Sequence, residues 1–237
     1  AGYDGSPIPT PPQVEGLDLN RNSPAGWGTG VPGSGDHPLS EPEIDALVRA
    51  IAARPNVCGY NAFHTSGGVL LRPSSTQPDA KLEPLDVWVW KQLAETGTAL
   101  TGYPSHSVFE DFTWDPRDTM SGAADDWAYE HRGVYGWTTE FWDVVKAATG
   151  SKQSPHFWYT GPTDDEALAV LRWCDANDVD GHVDWYEFDH PQLGVIELGG
   201  WDTLMTWTNP PAKLLRDEVA PHADFAVHQA LCSPRLE

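Results

Sequence analysis

The chain has 237 residues, with 35 acidic against 14 basic side chains and a net charge of −21. At about 150 residues per domain this is one large domain or two small ones, and 12 tryptophans within an 11% aromatic content exclude a disordered chain. The acidity excludes nucleic-acid binding by phosphate neutralisation and attraction to anionic membranes; it suits either plain solubility or the capture of a cationic substrate.

In chain order, residues 1–39 are rich in Gly, Pro, Ser and Asp and are predicted as loop. The first six residues have neither the basic flank nor the apolar stretch of a signal peptide, so a leader already removed, or a chain that is a piece of something longer, is expected. Ser40-Glu41-Pro42-Glu43 fits a capping box with proline in the first turn. Ile44, Leu47, Val48 and Ile51 follow as an apolar stripe, which predicts a helix ending at Pro55. Residues 57–63 read as a buried strand and 69–71 as its short apolar continuation. A second helix follows Pro84 and runs to about residue 97, and 103–114 is aromatic and β-like. Residues 123–132 are predicted helical with Gly133 as the stop, and 134–141 as a strand. Thr163-Asp164-Asp165-Glu166 is a second capping box, opening a helix to about residue 176, and Pro211 begins a last helix. Helices alternating with strands predict an α/β fold with a mixed, mostly parallel sheet. The chain is read as one domain over 1–237: a loop-rich lead-in (1–39), a core carrying the site motifs (40–150) and a Trp-rich extension with helices (151–237).

No stretch of about 18 apolar residues is present to cross a membrane. Cys58, Cys174 and Cys232 are odd in number and widely spaced. That argues against a disulfide framework and favours a reducing, cytoplasmic compartment, with one disulfide and one free thiol in a secreted protein as the other option.

Four segments carry candidate chemistry. Arg21 lies between Asn20 and Asn22 in 16–22, and a guanidinium is suited to gripping a carboxylate with two parallel hydrogen bonds. His64 ends an apolar strand and is followed by Thr65, Ser66 and two glycines; strand ends that open into flexible turns are where α/β sheets place their sites, and a neutral imidazole there can ligate a metal. Glu140 sits in an otherwise apolar strand, where a buried carboxylate requires a partner, a metal or a raised pKa. The segment 121–129, Ser-Gly-Ala-Ala-Asp-Asp-Trp-Ala-Tyr, precedes it. Read singly, His64 also fits a satisfied structural histidine, Glu140 a structural ion pair and Arg21 a solvated loop residue.

Taken together, these segments resemble the zinc carboxypeptidases of the carboxypeptidase A type. The resemblance rests on Asn20-Arg21, on His64 with Pro73 nine residues on, on Ser121-Gly122 leading to Asp126-Trp127, and on Glu140 thirteen residues after Trp127. The Ser40-Glu41-Pro42-Glu43 helix start is similar too, and the likeness covers residues 16 to about 145. It implies a three-layer α/β/α fold and a zinc-dependent hydrolase that removes C-terminal residues from peptides. In that family, zinc held by two His and one Glu activates a water. His64 would be one ligand, Glu140 the general base, and Asn20 and Arg21 the grip on the substrate's free carboxylate, with Ser66 a further substrate contact in the place of the family's aromatic after the zinc histidine. Two places before Trp127, Asp125 falls at the base of the family's specificity pocket, where an Asp suits Lys or Arg side chains; an exposed helix Asp is the alternative.

The sequence departs from the pattern in three places. No His has Glu three residues later, so the His-x-x-Glu ligand pair is absent, and the upstream oxyanion arginine has no counterpart. The chain is therefore expected to be the C-terminal portion of a longer catalytic domain, whose missing N-terminal segment supplies the other two ligands. Asp118 stands where the family carries a mobile Tyr. Other readings are a non-catalytic binding protein on the same fold, a Trp-rich carbohydrate-binding module built on Trp185, Trp201 and Trp207 (otherwise core residues alongside Phe188, Leu193, Val195 and Ile196), and amidase or deacylase chemistry on a small molecule with a free carboxylate. Residues 178–187 approximate a calcium loop with Gly181 at its sixth position, but Ala176 removes the first ligand, which favours an acidic turn before a strand.

Overall fold

The computed structural model describes residues 17–113, 115, 117, 119–154 and 157–233. The part of the lead-in before residue 17, and Asp118, lie outside the described residues. The elements that position the site are α1 (Pro42–Ala52), β1 (Gly59–Thr65), β2 (Val69–Arg72), α2 (Pro84–Thr101), β3 (Ser105–Ser107), α3 (Ala124–Arg132) and β4 (Tyr135–Phe141). Beyond them come α4 (Val144–Thr149), α5 (Phe157–Thr160), α6 (Asp164–Ala176), β5 (His182–His190), β6 (Gly194–Trp201), α7 (Thr203–Thr206) and α8 (Ala212–Cys232).

Four strands form one mixed sheet in the order β1-β4-β2-β3, parallel at β1/β4 and β2/β3 and antiparallel at β2/β4. Side chains alternate across it. Trp137 and Leu70 face one way and join Trp90 of α2 and Phe225 of α8 in a buried cluster. On the opposite face a side chain at Gly136 would lie 2.6 Å from the Asp125 carbonyl oxygen. Glycine there lets α3 close onto β4, and Trp127 and Ala128 of α3 then pack with Ile44 and Val48 of α1. The sheet is thus covered on both faces, giving the three layers expected. Trp90 is fully buried and donates its indole N–H to the Gly136 carbonyl at 3.2 Å, and Asp86 accepts from the Tyr129 and Tyr135 hydroxyls at 2.8 Å each. These contacts lock α2 to α3 and β4.

Several expectations need correcting. β1 is an edge strand, not a buried one: it pairs only with β4 among the described residues, and Phe63 is 58% exposed. The 103–114 segment yields only the short β3 before a π-turn at Val108–Phe112. The Ser40 capping box does not form. Glu41 takes the N-cap position without a side-chain bond, and its backbone N–H donates instead to Asn22 Oδ1 at 3.1 Å. The Thr163 box does form, with Thr163 Oγ1 accepting from Glu166 N and Glu166 Oε2 accepting from Thr163 N. Residues 182–190 are strand β5, so the calcium-loop spacing builds no loop there. Trp207 is buried as expected, but Trp185, Phe188, Leu193 and Val195 are exposed on the β5–β6 hairpin rather than in a core.

On α8, His222 is buried against Tyr103 and Phe141, and its Nδ1 has no hydrogen-bond partner. Burial pushes its pKa down to about 4. The unfolded chain takes up a proton near pH 6.5 that the folded chain refuses until about 4, so stability falls as the pH drops through that window and levels off below it. Glu218, which accepts from the Tyr103 hydroxyl and from Trp142 N, is the charged group beside it. Denaturant titrations at pH 7 and pH 4 are expected to show about 1–2 kcal/mol less of this loss for His222→Phe; an unchanged difference would contradict it.

Candidate active site

β1 and β4 run parallel in register, with His64 opposite Glu140, so the two side chains leave the same face near the C-terminal ends of neighbouring strands. His64 Nδ1 lies 3.9 Å from Glu140 Oε1, too far for a hydrogen bond. Leu71 and Thr138 share that face. Together with Asp18, Asn20, Arg21 and Asp125 they line one cavity of about 400 Å³.

The loop before α1 reaches this cavity because long-range contacts fix it. Asn22 is fully buried, and its Nδ2 donates to the Ser34 and His37 carbonyls and to Ser40 Oγ. Gly122 sits at φ +76, and a Cβ there would lie 2.2 Å from the Arg21 carbonyl oxygen. Glycine is thus what lets the 121–123 turn press against Arg21. Asn20 replaces the cap that Ala123 cannot provide: Asn20 Oδ1 accepts from the Ala124 N–H at 2.9 Å. Its side-chain NH2 has no partner among the described residues, and Arg21 is the one basic side chain among the cavity's described lining.

Asp125 and Asp126 lie side by side in the first turn of α3, both buried. Asp126 accepts the Ser75 N–H on both oxygens at 3.0 Å. Asp125 Oδ1 accepts from Asp126 N and the Thr138 hydroxyl bears on the same carboxyl, whereas Asp125 Oδ2 is buried with no partner in hydrogen-bond geometry. Burial raises the pKa of both, and the Asp125 charge raises Asp126 further. Burial also pushes Glu140 up to about 8; the Asp125 carboxylate adds to this and Arg21 opposes it. His64 is held below its ordinary value, first by burial and then by Arg21, against Asp125 and Asp18.

The structure therefore brings Asn20, Arg21, His64, Asp125 and Glu140 together. Ser66 is a correction: it is buried, donates to the Trp207 carbonyl at 2.8 Å and does not line the cavity. Asp18 and Thr138 are lining residues that the sequence reading missed. Asp18 stands three residues before Arg21, an ion-pair spacing that marks it, and its Oδ2 lies 3.9 Å from Arg21 Nε. Thr138 could have been found from its place two residues before Glu140 on the same strand face.

A carboxylate, an imidazole and a guanidinium thus converge near the strand ends of a mixed α/β sheet. The zinc carboxypeptidase profile (peptidase M14) matches residues 5–159, and the chain belongs to that family. It is similar in structure to thrombin-activatable fibrinolysis inhibitor, with 21% identity and a TM-score of 0.44 over 68% of this chain and 42% of that one. Carboxypeptidase A from Helicoverpa armigera gives the same identity and TM-score over 68% of this chain and 41% of that one. The bovine fibrinolysis inhibitor bound to tick carboxypeptidase inhibitor does so over 68% and 56%. The chain thus spans about half the length of these structures. A comparison with curated proteins finds no match.

A catalytic zinc takes three protein ligands. Among the described residues no three His, Cys, Asp or Glu side chains are grouped so as to hold a metal. His64 alone does not make the family's metal site.

Proposed function

We propose that this chain is the substrate-recognising and proton-transferring part of a carboxypeptidase site, acting on peptides that end in Lys or Arg. The observation that carries this reading is the cavity's charge layout. Arg21 and the free amide of Asn20 offer donors to a C-terminal carboxylate, while the unpartnered, buried Asp125 Oδ2 offers an acceptor to a cationic side chain. A C-terminal Lys or Arg carries both complementary charges. Asn20 and Arg21 hold and orient the carboxylate, and Asp125 is worth most once the ligand has expelled water from around it. Glu140 is the side chain that takes a proton from a water at the scissile carbonyl and returns it to the leaving amine. Its carboxyl, raised to about 8 in the free protein, is poised between the two forms such a carrier alternates between. The family's zinc would sit with His64; the sequence holds no His-x-x-Glu pair to supply the other two ligands. This reading requires a partner that supplies those two ligands.

The acidic net charge supports the choice of substrate, since it draws cationic peptides toward the site at low ionic strength. The test is hydrolysis by the enzyme containing this chain. Peptides ending in Lys or Arg should be cut faster than those ending in Phe or Leu, and the advantage should shrink with added salt. A preference for apolar ends would overturn the substrate assignment.

The donor count also makes a prediction for the chain alone. Calorimetry is expected to show weak zinc binding or none, because His64 is one ligand of three. Tight one-to-one binding would contradict this and point to ligands among His106, His182 and His190. A non-catalytic binding role is the second reading: the same charge layout, without a three-donor cluster among the described residues, would still hold a peptide's C-terminus.

A further inference from the structure

A second cavity, of about 70 Å³, lies on the sheet face away from the candidate site, and Cys58, Trp137, Gln229 and Cys232 are among its lining residues. Cys58 precedes β1 and Cys232 closes α8, so two thiols 174 residues apart in the chain meet at one small space. Both are exposed, whereas the third cysteine, Cys174, is buried in a different cluster.

Two further observations point the same way. Cys232 Sγ lies 3.5 Å from His228 Nε2, one helical turn back, and in the tautomer with Nε2 unprotonated the thiol donates a hydrogen bond to the imidazole. Trp137 is 1% exposed, and its indole N–H and the Gln229 amide nitrogen are buried donors with no partner on the wall of this cavity. Such donors favour a neighbouring thiolate, the form from which disulfide exchange starts.

We infer that Cys58 and Cys232 form a disulfide under oxidising conditions, tying the last turn of α8 to the strand that carries His64. With glutathione disulfide as oxidant, the Cys232 thiolate attacks one of its sulfurs and releases one glutathione thiolate. The Cys58 thiolate then attacks the Cys232 sulfur of the mixed disulfide and releases the second. The two protein thiol protons end on the two glutathiones. The protein loses two electrons and glutathione disulfide gains them. α8 packs Phe225 against Trp137 and His222 against Phe141, both on the strand that carries Glu140. The bond therefore braces the back of the strand pair on which the site is built.

The test is incubation of the purified chain with glutathione disulfide, followed by thiol counting, non-reducing peptide mapping by mass spectrometry, and a thermal melt. The expected result is loss of two of the three thiols, a mass lowered by two hydrogens, and a linked pair of peptides containing residues 58 and 232. The melting temperature should rise by roughly 5–10 °C and fall back with dithiothreitol. Cys58→Ser and Cys232→Ser should each remove the link and leave a glutathione adduct on the remaining partner. Separate glutathione adducts on Cys58 and Cys232 of the unsubstituted chain, a link through Cys174, or links only between molecules would overturn the proposal.

Discussion

Asp125→Ala in the enzyme containing this chain is expected to lower kcat/KM on the order of 10²-fold for peptides ending in Lys or Arg, and to leave those ending in Phe or Leu nearly unchanged. The magnitude follows from truncating one partner of a buried, hydrogen-bonded charge pair, about 2–5 kcal/mol. The structure adds a second readout. Asp125 is buried, its Oδ2 is unpartnered, and burial holds its pKa up. In the free protein this carboxylate is a destabilising feature, so its removal should leave the melting temperature unchanged or raised. A residue kept only for the fold would do the opposite, melting lower when cut back while the Lys-to-Phe ratio stayed put. Competition assays with paired substrates, run beside a thermal melt, separate the two. An unchanged substrate ratio would sink the pocket assignment while leaving the role of Glu140 open.

Glu140→Gln is expected to lower kcat by 10²–10⁴-fold for basic and apolar ends alike, with KM little changed. Glutamine keeps the shape and one acceptor oxygen but cannot carry a proton. The uniform loss across substrates distinguishes a proton carrier from a binding group, and the two variants should therefore give opposite patterns: selective for Asp125, indiscriminate for Glu140. The two carboxyls are coupled, since the Asp125 charge helps raise Glu140, so the variants are compared by the ratio between substrates and not by absolute rate. Asp125 accepts from Asp126 N on α3, whereas Glu140 rises from β4 opposite His64. Retention of kcat in Glu140→Gln would show that another group moves the proton.

Much of this site was legible because its parts lie on regular elements. Two strands read from apolar runs, with His64 and Glu140 near their ends, fix a shared face once the strands pair in register. What the sequence concealed are contacts made across long separations. Asn20 was expected only as a carboxylate grip, yet its side-chain oxygen caps α3 across 104 residues. The Ser40 box failed for a similar reason: Ser40 Oγ donates to Glu41 Oε1 and accepts from buried Asn22, 18 residues back, which draws it away from the Glu43 N–H it was expected to cap. Ser66 turns away because the chain leaves β1 there and meets the Trp207 carbonyl, 141 residues on. The β5–β6 hairpin was obscured by its mixture of acidic residues, glycines and aromatics. Its strands pair with each other rather than with the main sheet, so no clean alternation of buried and exposed residues marks them.

On the proposed reading, the cavity recognises a free C-terminal carboxylate and a basic side chain together. The most direct measurement is a calorimetric titration of the chain with an N-acyl-arginine and with the matching N-acyl-argininamide. The charge layout of Arg21, Asn20 and Asp125 predicts that the acid binds at least about tenfold more tightly than the amide, a difference of about 1.4 kcal/mol, and that Arg21→Ala erases the difference. Equal affinities for acid and amide, or binding of neither, would contradict it.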